Sequence, residues 1–178
     1  MINRSPVAGE KKCKPAAPNV LVLGVGNMLL TDEGVGGRVV EEIVRHYKIP
    51  ERVEVIDGGT MGMDLLSYLD DRTHLLIVDA IKYNRKPGAA VRLPLIDPPA
   101  FFRTMISPHQ LGLAEVLGIS ELTGCLPPNI VLFGIEPVSL ETAIGLSPEV
   151  ARNVPLMIEM IKEELASLGL ILEPSADA

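Results

Sequence analysis

The chain has 178 residues, 47% of them hydrophobic, which suits one well-packed domain and is short for two. That hydrophobic content excludes whole-chain disorder. The formal net charge is −7, and no lysine or arginine cluster in the folded region offsets it, so broad nucleic-acid binding is not expected. The longest apolar runs, such as Val20–Val25 and Ile130–Ile135, are strand-sized and fall far short of the roughly 20 residues of a membrane helix. Cys13 and Cys125 are too few for a zinc-cysteine cluster or a disulfide framework. No apolar stretch follows the lysines of Met1–Pro18, so this is not a secretory signal. A soluble cytoplasmic protein is expected.

Residues 1–18, with Pro6, Gly9, Pro15 and Pro18, read as a flexible arm, and 173–178 as a frayed tail. Residues 19–172 form the single folded domain. Asn19–Gly24 is an apolar run ending in glycine and reads as a buried strand. A glycine-rich loop, Gly24–Gly34, follows. Val35, Val39, Val40, Ile43, Val44 and Tyr47 then share one helical face, closed by Pro50. Arg52–Asp57 alternates as a second strand. Gly58-Gly59-Thr60 turns the chain, with Thr60 a candidate cap for a short helix ending at Leu69. Thr73–Asp79 is a third strand, apolar enough to be covered on both faces. Ala89–Leu95 is a fourth strand. Ser107-Pro108 starts a helix to about Leu122, with serine as cap and proline in the first turn. Asn129–Ile135 is a fifth strand. Ser147-Pro148 repeats the start signal for a last helix ended by Gly169, and Pro155 inside it predicts a kink or a late start.

Alternating strands and helices predict an α/β sheet between helical layers. The Asp79-to-Ala89 connection is too short for a crossover helix, so the fourth strand runs antiparallel to the third. Residues 96–108 then climb back, which places His109 at the carboxyl edge of the sheet. Ligands of open α/β sheets bind at that edge. Asp32 and Glu33 follow strand one, Asp57 ends strand two, Asp79 ends strand three, and His109 begins the helix before strand five. Carboxylates with one imidazole make a hard-to-intermediate metal site. The helix dipole at His109 disfavours imidazolium, leaving the neutral ring that a metal needs. Asp32 is read as a helix cap that competes with Glu33 for the site. Asp57-Gly-Gly is good turn chemistry in its own right. Neither serine nor cysteine has a convincing catalytic partner, which weakens a covalent mechanism. Cys125 reads as structural and Cys13 as idle. A Rossmann-type nucleotide module is a rival, but Leu29 breaks the G-x-G-x-x-G pattern and Glu33 occupies the space that pyrophosphate needs.

Gly24-Val-Gly-Asn-Met-Leu-Leu-Thr-Asp-Glu-Gly-Val-Gly (24–36), Asp57-Gly-Gly-Thr (57–60), Val78-Asp79-Ala80 and Ser107-Pro-His-Gln-Leu-Gly (107–112) resemble, in order, the motifs of the [NiFe]-hydrogenase maturation endopeptidases. The likeness spans about residues 19–169. It implies a phosphorylase/hydrolase-like three-layer α/β/α sandwich, with five strands in the order 2-1-3-5-4 and strand four antiparallel. It implies removal of a C-terminal extension from a nickel-loaded hydrogenase large-subunit precursor. It implies nickel contacts from Glu33, Asp79 and His109, with Asp57 a secondary catalytic candidate that orients substrate, holds the first loop or takes a proton. Nickel is expected to come with the substrate, and another divalent ion could replace it in a crystal. Whether the metal polarises the carbonyl, activates water or is a recognition tag stays open. A monomer with no nucleic-acid or membrane partner is expected. The rival readings are a non-catalytic nickel-sensing chaperone of the large subunit and a germination-type protease of the same fold.

Overall fold

The computed structural model describes residues 17–59, 61–105 and 108–175. The expected arm up to residue 16, and the candidate caps Thr60 and Ser107, lie outside the described residues. β1 (Val20–Val25) leads through a 3-10 turn (Thr31–Gly34) into α1 (Val35–His46), then β2 (Tyr47–Lys48) and β3 (Val53–Gly59). A second 3-10 turn (Gly62–Leu65) runs into α2 (Leu66–Leu69), followed by β4 (His74–Ala80) and β5 (Ala90–Pro94). Then come α3 (Pro98–Arg103), α4 (Pro108–Thr123), β6 (Asn129–Ile135), α5 (Pro148–Ala151), α6 (Val154–Ser167) and β7 (Glu173–Pro174).

Five of these strands form one sheet in the order β3-β1-β4-β6-β5. Counted in chain order within the sheet this is 2-1-3-5-4, as expected. β5 pairs antiparallel with β6, and the other pairs are parallel. β1, β4 and β6 are almost wholly buried because both faces are covered. One face packs Val20, Val22, Leu76, Val78 and Phe133 against α1, α5 and α6. The other packs Leu21, Leu23, Leu75, Ile77 and Leu132 against α2, α3 and α4. The alternation along each strand assigns successive residues to opposite layers.

Three segments depart from the sequence reading, the first being Tyr47, which lies past the end of α1 in β2 rather than on the helical face. Within 96–108, residues 98–103 form α3, whose N-cap Asp97 accepts the Ala100 N–H at 3.0 Å ahead of Pro98. The signal is the same cap-plus-proline pattern seen at Ser107 and Ser147. At the other end, Glu173 and Pro174 do not fray. They pair with Lys48 and Tyr47, and the Ser175 N–H donates to the His46 carbonyl at 2.8 Å. The last helix takes the late start that Pro155 allows: Ser147 caps the single turn α5, and α6 begins at Val154 with Pro155 in its first turn.

The closest helix-to-sheet approach is at Gly36. A Cβ there would stand 2.3 Å from the Val25 carbonyl oxygen and 2.4 Å from that of Val78. Both are backbone atoms at the site edge and neither has room to retreat. Gly36→Ala is therefore expected to lower unfolding stability by about 1–3 kcal/mol or more, as overpacking does. Gly112 in α4 has open space around the same position, so Gly112→Ala is expected to hold or raise stability by about 0.5–1 kcal/mol. Urea unfolding of the two variants checks the contrast.

Candidate active site

β1 and β4 are parallel neighbours, with Gly24 opposite Val78, so the loop after β1 and the end of β4 meet at one edge. That edge holds Asp79, whose side chain is fully buried. α4 starts above it and delivers His109, whose side chain is 4% exposed. His109 Nε2 lies 3.0 Å from Asp79 Oδ1, and Nδ1 lies 3.3 Å from Glu33 Oε1. One imidazole thus bridges two buried carboxylates, one from the 3-10 turn after β1 and one from the end of β4. Gln110 completes the group: its Nε2 donates to Asp79 Oδ2 at 2.8 Å and to the Ala80 carbonyl at 3.0 Å. A cleft of about 200 Å³ opens beside His109, lined by Val25, Gly59, Gly62, Leu65, Gly112 and Leu113.

The Glu33 turn is shaped by close contacts. Gly26 has φ +124°, and a Cβ there would stand 1.8 Å from the Glu33 carbonyl oxygen, so glycine is needed twice over. Thr31 is a β-branched residue in the left-handed region, φ 41°. It is held there by its N–H donating to the Ala143 carbonyl at 3.0 Å and its Oγ1 donating to the Ser139 carbonyl at 2.7 Å.

Asp32 is not the helix cap expected of it. Its carboxylate is fully buried and accepts three backbone N–H bonds, from Val138 (2.8 Å) and Ser139 (3.0 Å) on Oδ2 and from Ser147 (2.7 Å) on Oδ1. The 3-10 turn and α1 have no side-chain cap bond. Asp32 instead clips the Glu33 turn to the loop between β6 and α5. Nothing local in the sequence reveals this, because its partners lie more than a hundred residues away.

Asp57 is not drawn into the cluster. It is exposed, packs against Gly37 of α1, and accepts the Gly59 N–H on Oδ1 at 2.9 Å. These contacts shape the turn after β3, where Gly59 has φ +42°. Cys125 is free, and its nearest polar contact is the Thr123 carbonyl at 3.8 Å.

Burial pushes Asp79 above its ordinary value, while its bonds to His109, Gln110 and the Ala80 N–H pull it back without cancelling the rise. For His109, burial works against the imidazolium, but the hydrogen bonds and charges of Asp79 and Glu33 outweigh it, and the net shift is upward. The carboxylates of Asp79 and Glu33 thus act on this ring in the opposite sense to the helix-start dipole. His74 goes the other way, lowered by burial against a smaller opposing effect of Glu164.

As chemistry, the donor set is two carboxylates and one imidazole, which suits a borderline divalent ion. Both ring nitrogens face carboxylates, so ligation of an ion by His109 replaces one of those contacts. Among the described residues no three acidic, histidine or cysteine side chains already converge as metal ligands. No helix among them is long and apolar enough to cross a membrane.

Residues 37–164 match the family model described as hydrogenase maturation protease. The stretch includes Asp57, Asp79 and His109 and starts just after Glu33. The chain is 45% identical over 152 residues to the Hydrogenase 2 maturation protease of Escherichia coli K12, covering 85% of this chain and 93% of that protein. It is 40% identical over 156 residues to the hydrogenase expression/formation protein HupD of Bradyrhizobium diazoefficiens, covering 85% and 80%. Among solved structures it is similar to the hydrogenase maturating endopeptidase HybD from E. coli, with TM-score 0.85 and 43% identity over 90% of this chain and 99% of that one. It is also similar to the [NiFe] hydrogenase maturation protease HybD of Thermococcus kodakarensis, with TM-score 0.68 and 26% identity over 83% and 99%.

Two predictions follow from the geometry. Asp32→Ala removes three charge-assisted bonds from a buried loop junction and is expected to cost about 2–4 kcal/mol. Amide exchange at Val138, Ser139 and Ser147 should then quicken ahead of the sheet. By NMR titration, His109 should titrate above 6.5 and His74 below it. A raised histidine stabilises the fold fully below the unfolded value and loses that contribution as pH rises through the folded one. The metal-free protein should therefore lose His109's share of stability as pH climbs above 6.5, and His109→Gln should flatten that slope.

Proposed function

Given that the chain belongs to the hydrogenase maturation proteases and is an endopeptidase, we propose that it acts on the precursor of a [NiFe]-hydrogenase large subunit. It removes the C-terminal extension after nickel has been inserted. The observation that carries this reading is the buried Glu33–His109–Asp79 cluster at the carboxyl edge, beside an open cleft.

Nickel arrives as part of the substrate. The two carboxylates supply negative charge where a substrate-borne cation arrives, and His109 is the borderline donor that such an ion prefers. His109 leaves one of its carboxylates when it turns to the substrate. Gln110 keeps Asp79 oriented through that exchange, since it holds Oδ2 while His109 contacts Oδ1. Docking through the metal fixes the scissile bond against the protein, and hydrolysis adds water across it. The Asp32 clip keeps Glu33 in place while the substrate presses on its turn.

Covalent catalysis has little support in these side chains: among the described residues no hydrogen bond joins the Cys125 thiol to a base, and the cluster contains no serine or threonine. Glu33→Ala, Asp79→Ala and His109→Ala are each expected to slow processing by about 10²-fold or more while the protein stays folded. Mass spectrometry of the nickel-loaded precursor, before and after incubation, reads the loss of the C-terminal peptide. Full processing by all three variants overturns the site assignment. Cleavage of precursor without nickel overturns the metal-docking role.

A further inference from the structure

Gly112 lies in the second turn of α4, three residues after His109. A glycine inside a helix weakens it relative to alanine, so its place there needs a packing or functional reason. Close packing is not the reason. A Cβ at Gly112 would meet nothing within 4 Å among the described residues, whereas one at Gly118 on the same helix would meet the Arg103 side chain at 3.4 Å. Gly112 lines the cleft beside His109 instead. Gly62 lines it too, and its Cβ position is equally open, although φ +58° gives glycine a separate reason in that turn. The room in the cleft is therefore room that an ordinary side chain at position 112 would take.

The rest of the wall is apolar and fixed. Val25, Leu65 and Leu113 are buried members of the core between the sheet and α2, α3 and α4. The bordering segments 58–63 and 106–114 contain no titratable side chain except the imidazole of His109. Asp57, Asp64 and Glu115 stand next to these segments, all exposed, and none lines the cleft. Both nitrogens of His109 already face carboxylates. A charged side chain entering the cleft would thus lose water and gain no partner from the described wall. The volume, about 200 Å³, is below the roughly 300–1,000 Å³ of small-molecule sites and suits a single side chain.

We propose that this cleft is a subsite for one apolar side chain of the substrate, on a residue that directly flanks the scissile bond. This rests on the proposed function, in which His109 contacts the nickel that the substrate carries. The occupant follows from continuity: His109 belongs both to the Glu33–His109–Asp79 cluster and to the cleft wall. A chain docked at the cluster therefore lies at the edge of the cleft, and an apolar side chain that fills it takes apolar surface of both partners out of water. Gly112 sets the depth of the subsite. It is a specificity-determining position that meets the substrate's side chain and not the reacting atoms.

The test pairs a filled cleft with a trimmed substrate. Gly112→Leu fills the cleft from a helical position, and Glu121→Leu, exposed at the far end of α4, is the control. The kcat/KM for processing of the nickel-loaded precursor, followed by mass, should fall about tenfold or more in Gly112→Leu and stay within about twofold of wild type in the control. Each residue flanking the scissile bond of the precursor is then changed in turn to glycine, aspartate or lysine. At one of the two positions glycine should bring Gly112→Leu to within about threefold of wild type acting on the same precursor, the coupling that a double-mutant cycle reads. At that position aspartate and lysine should each lower wild-type kcat/KM by about 10²-fold. The NMR titration of His109 should be the same in Gly112→Leu and wild type, which separates a filled cleft from a disturbed cluster; Gly112→Met repeats the test should leucine unfold the chain or shift His109. Unchanged kcat/KM in Gly112→Leu, or a loss that no precursor substitution relieves, overturns the subsite and leaves the protease reading standing. Faster processing with aspartate or lysine at the coupled position overturns its apolar character. No processing by the wild-type chain overturns the protease reading, and the subsite falls with it.

Discussion

Asp79 ends a central strand and has no exposed surface, so its carboxylate must find all its partners within the protein. It finds them in the first turn of α4. His109 takes one oxygen and Gln110 the other. That demand fixes where α4 starts relative to β4. His109 then uses its second nitrogen on Glu33, which fixes the first loop relative to both. Three elements distant in sequence are tied by one imidazole. The rest of the edge serves this arrangement: Gly36 lets α1 approach closely enough to put Glu33 there, and Asp32 holds the turn from the far side.

The sheet is legible in the sequence because its evidence is local. The apolar runs of β1, β4 and β6 mark the buried strands and the short Asp79-to-Ala89 link sets the antiparallel β5 without reference to distant contacts, whereas the strand order 2-1-3-5-4 is implied by the family resemblance. The positions of Glu33, Asp79 and His109 at one edge follow from the same topology. What is not legible depends on pairs far apart. Asp32 looks like a cap from its neighbours, because the N–H groups it binds come from residues 138–147. The upward shift of His109 is not legible from its helix position, because it comes from Glu33 and Asp79, which lie far away in sequence. α3 is a different kind of miss: Asp97-Pro98 carries the start signal, but the segment is short and reads as a climb between two longer elements. Glu173 and Pro174 read as tail because nothing in their own sequence points to Tyr47 and Lys48.

The side chains of the cluster are partnered with one another. Its carboxylates share one ring, and the ring's raised affinity for a proton reflects that sharing. A satisfied buried polar group resists disturbance, since breaking one contact leaves a partner without solvent. On the proposed reading this selects for an ion that binds imidazole well and arrives already positioned on a protein, because the substrate's own docking contributes to the exchange. A preassembled resident metal site would carry no such check. On the proposed reading, the closed His109 bridge is a competitor that the nickel-loaded substrate must displace.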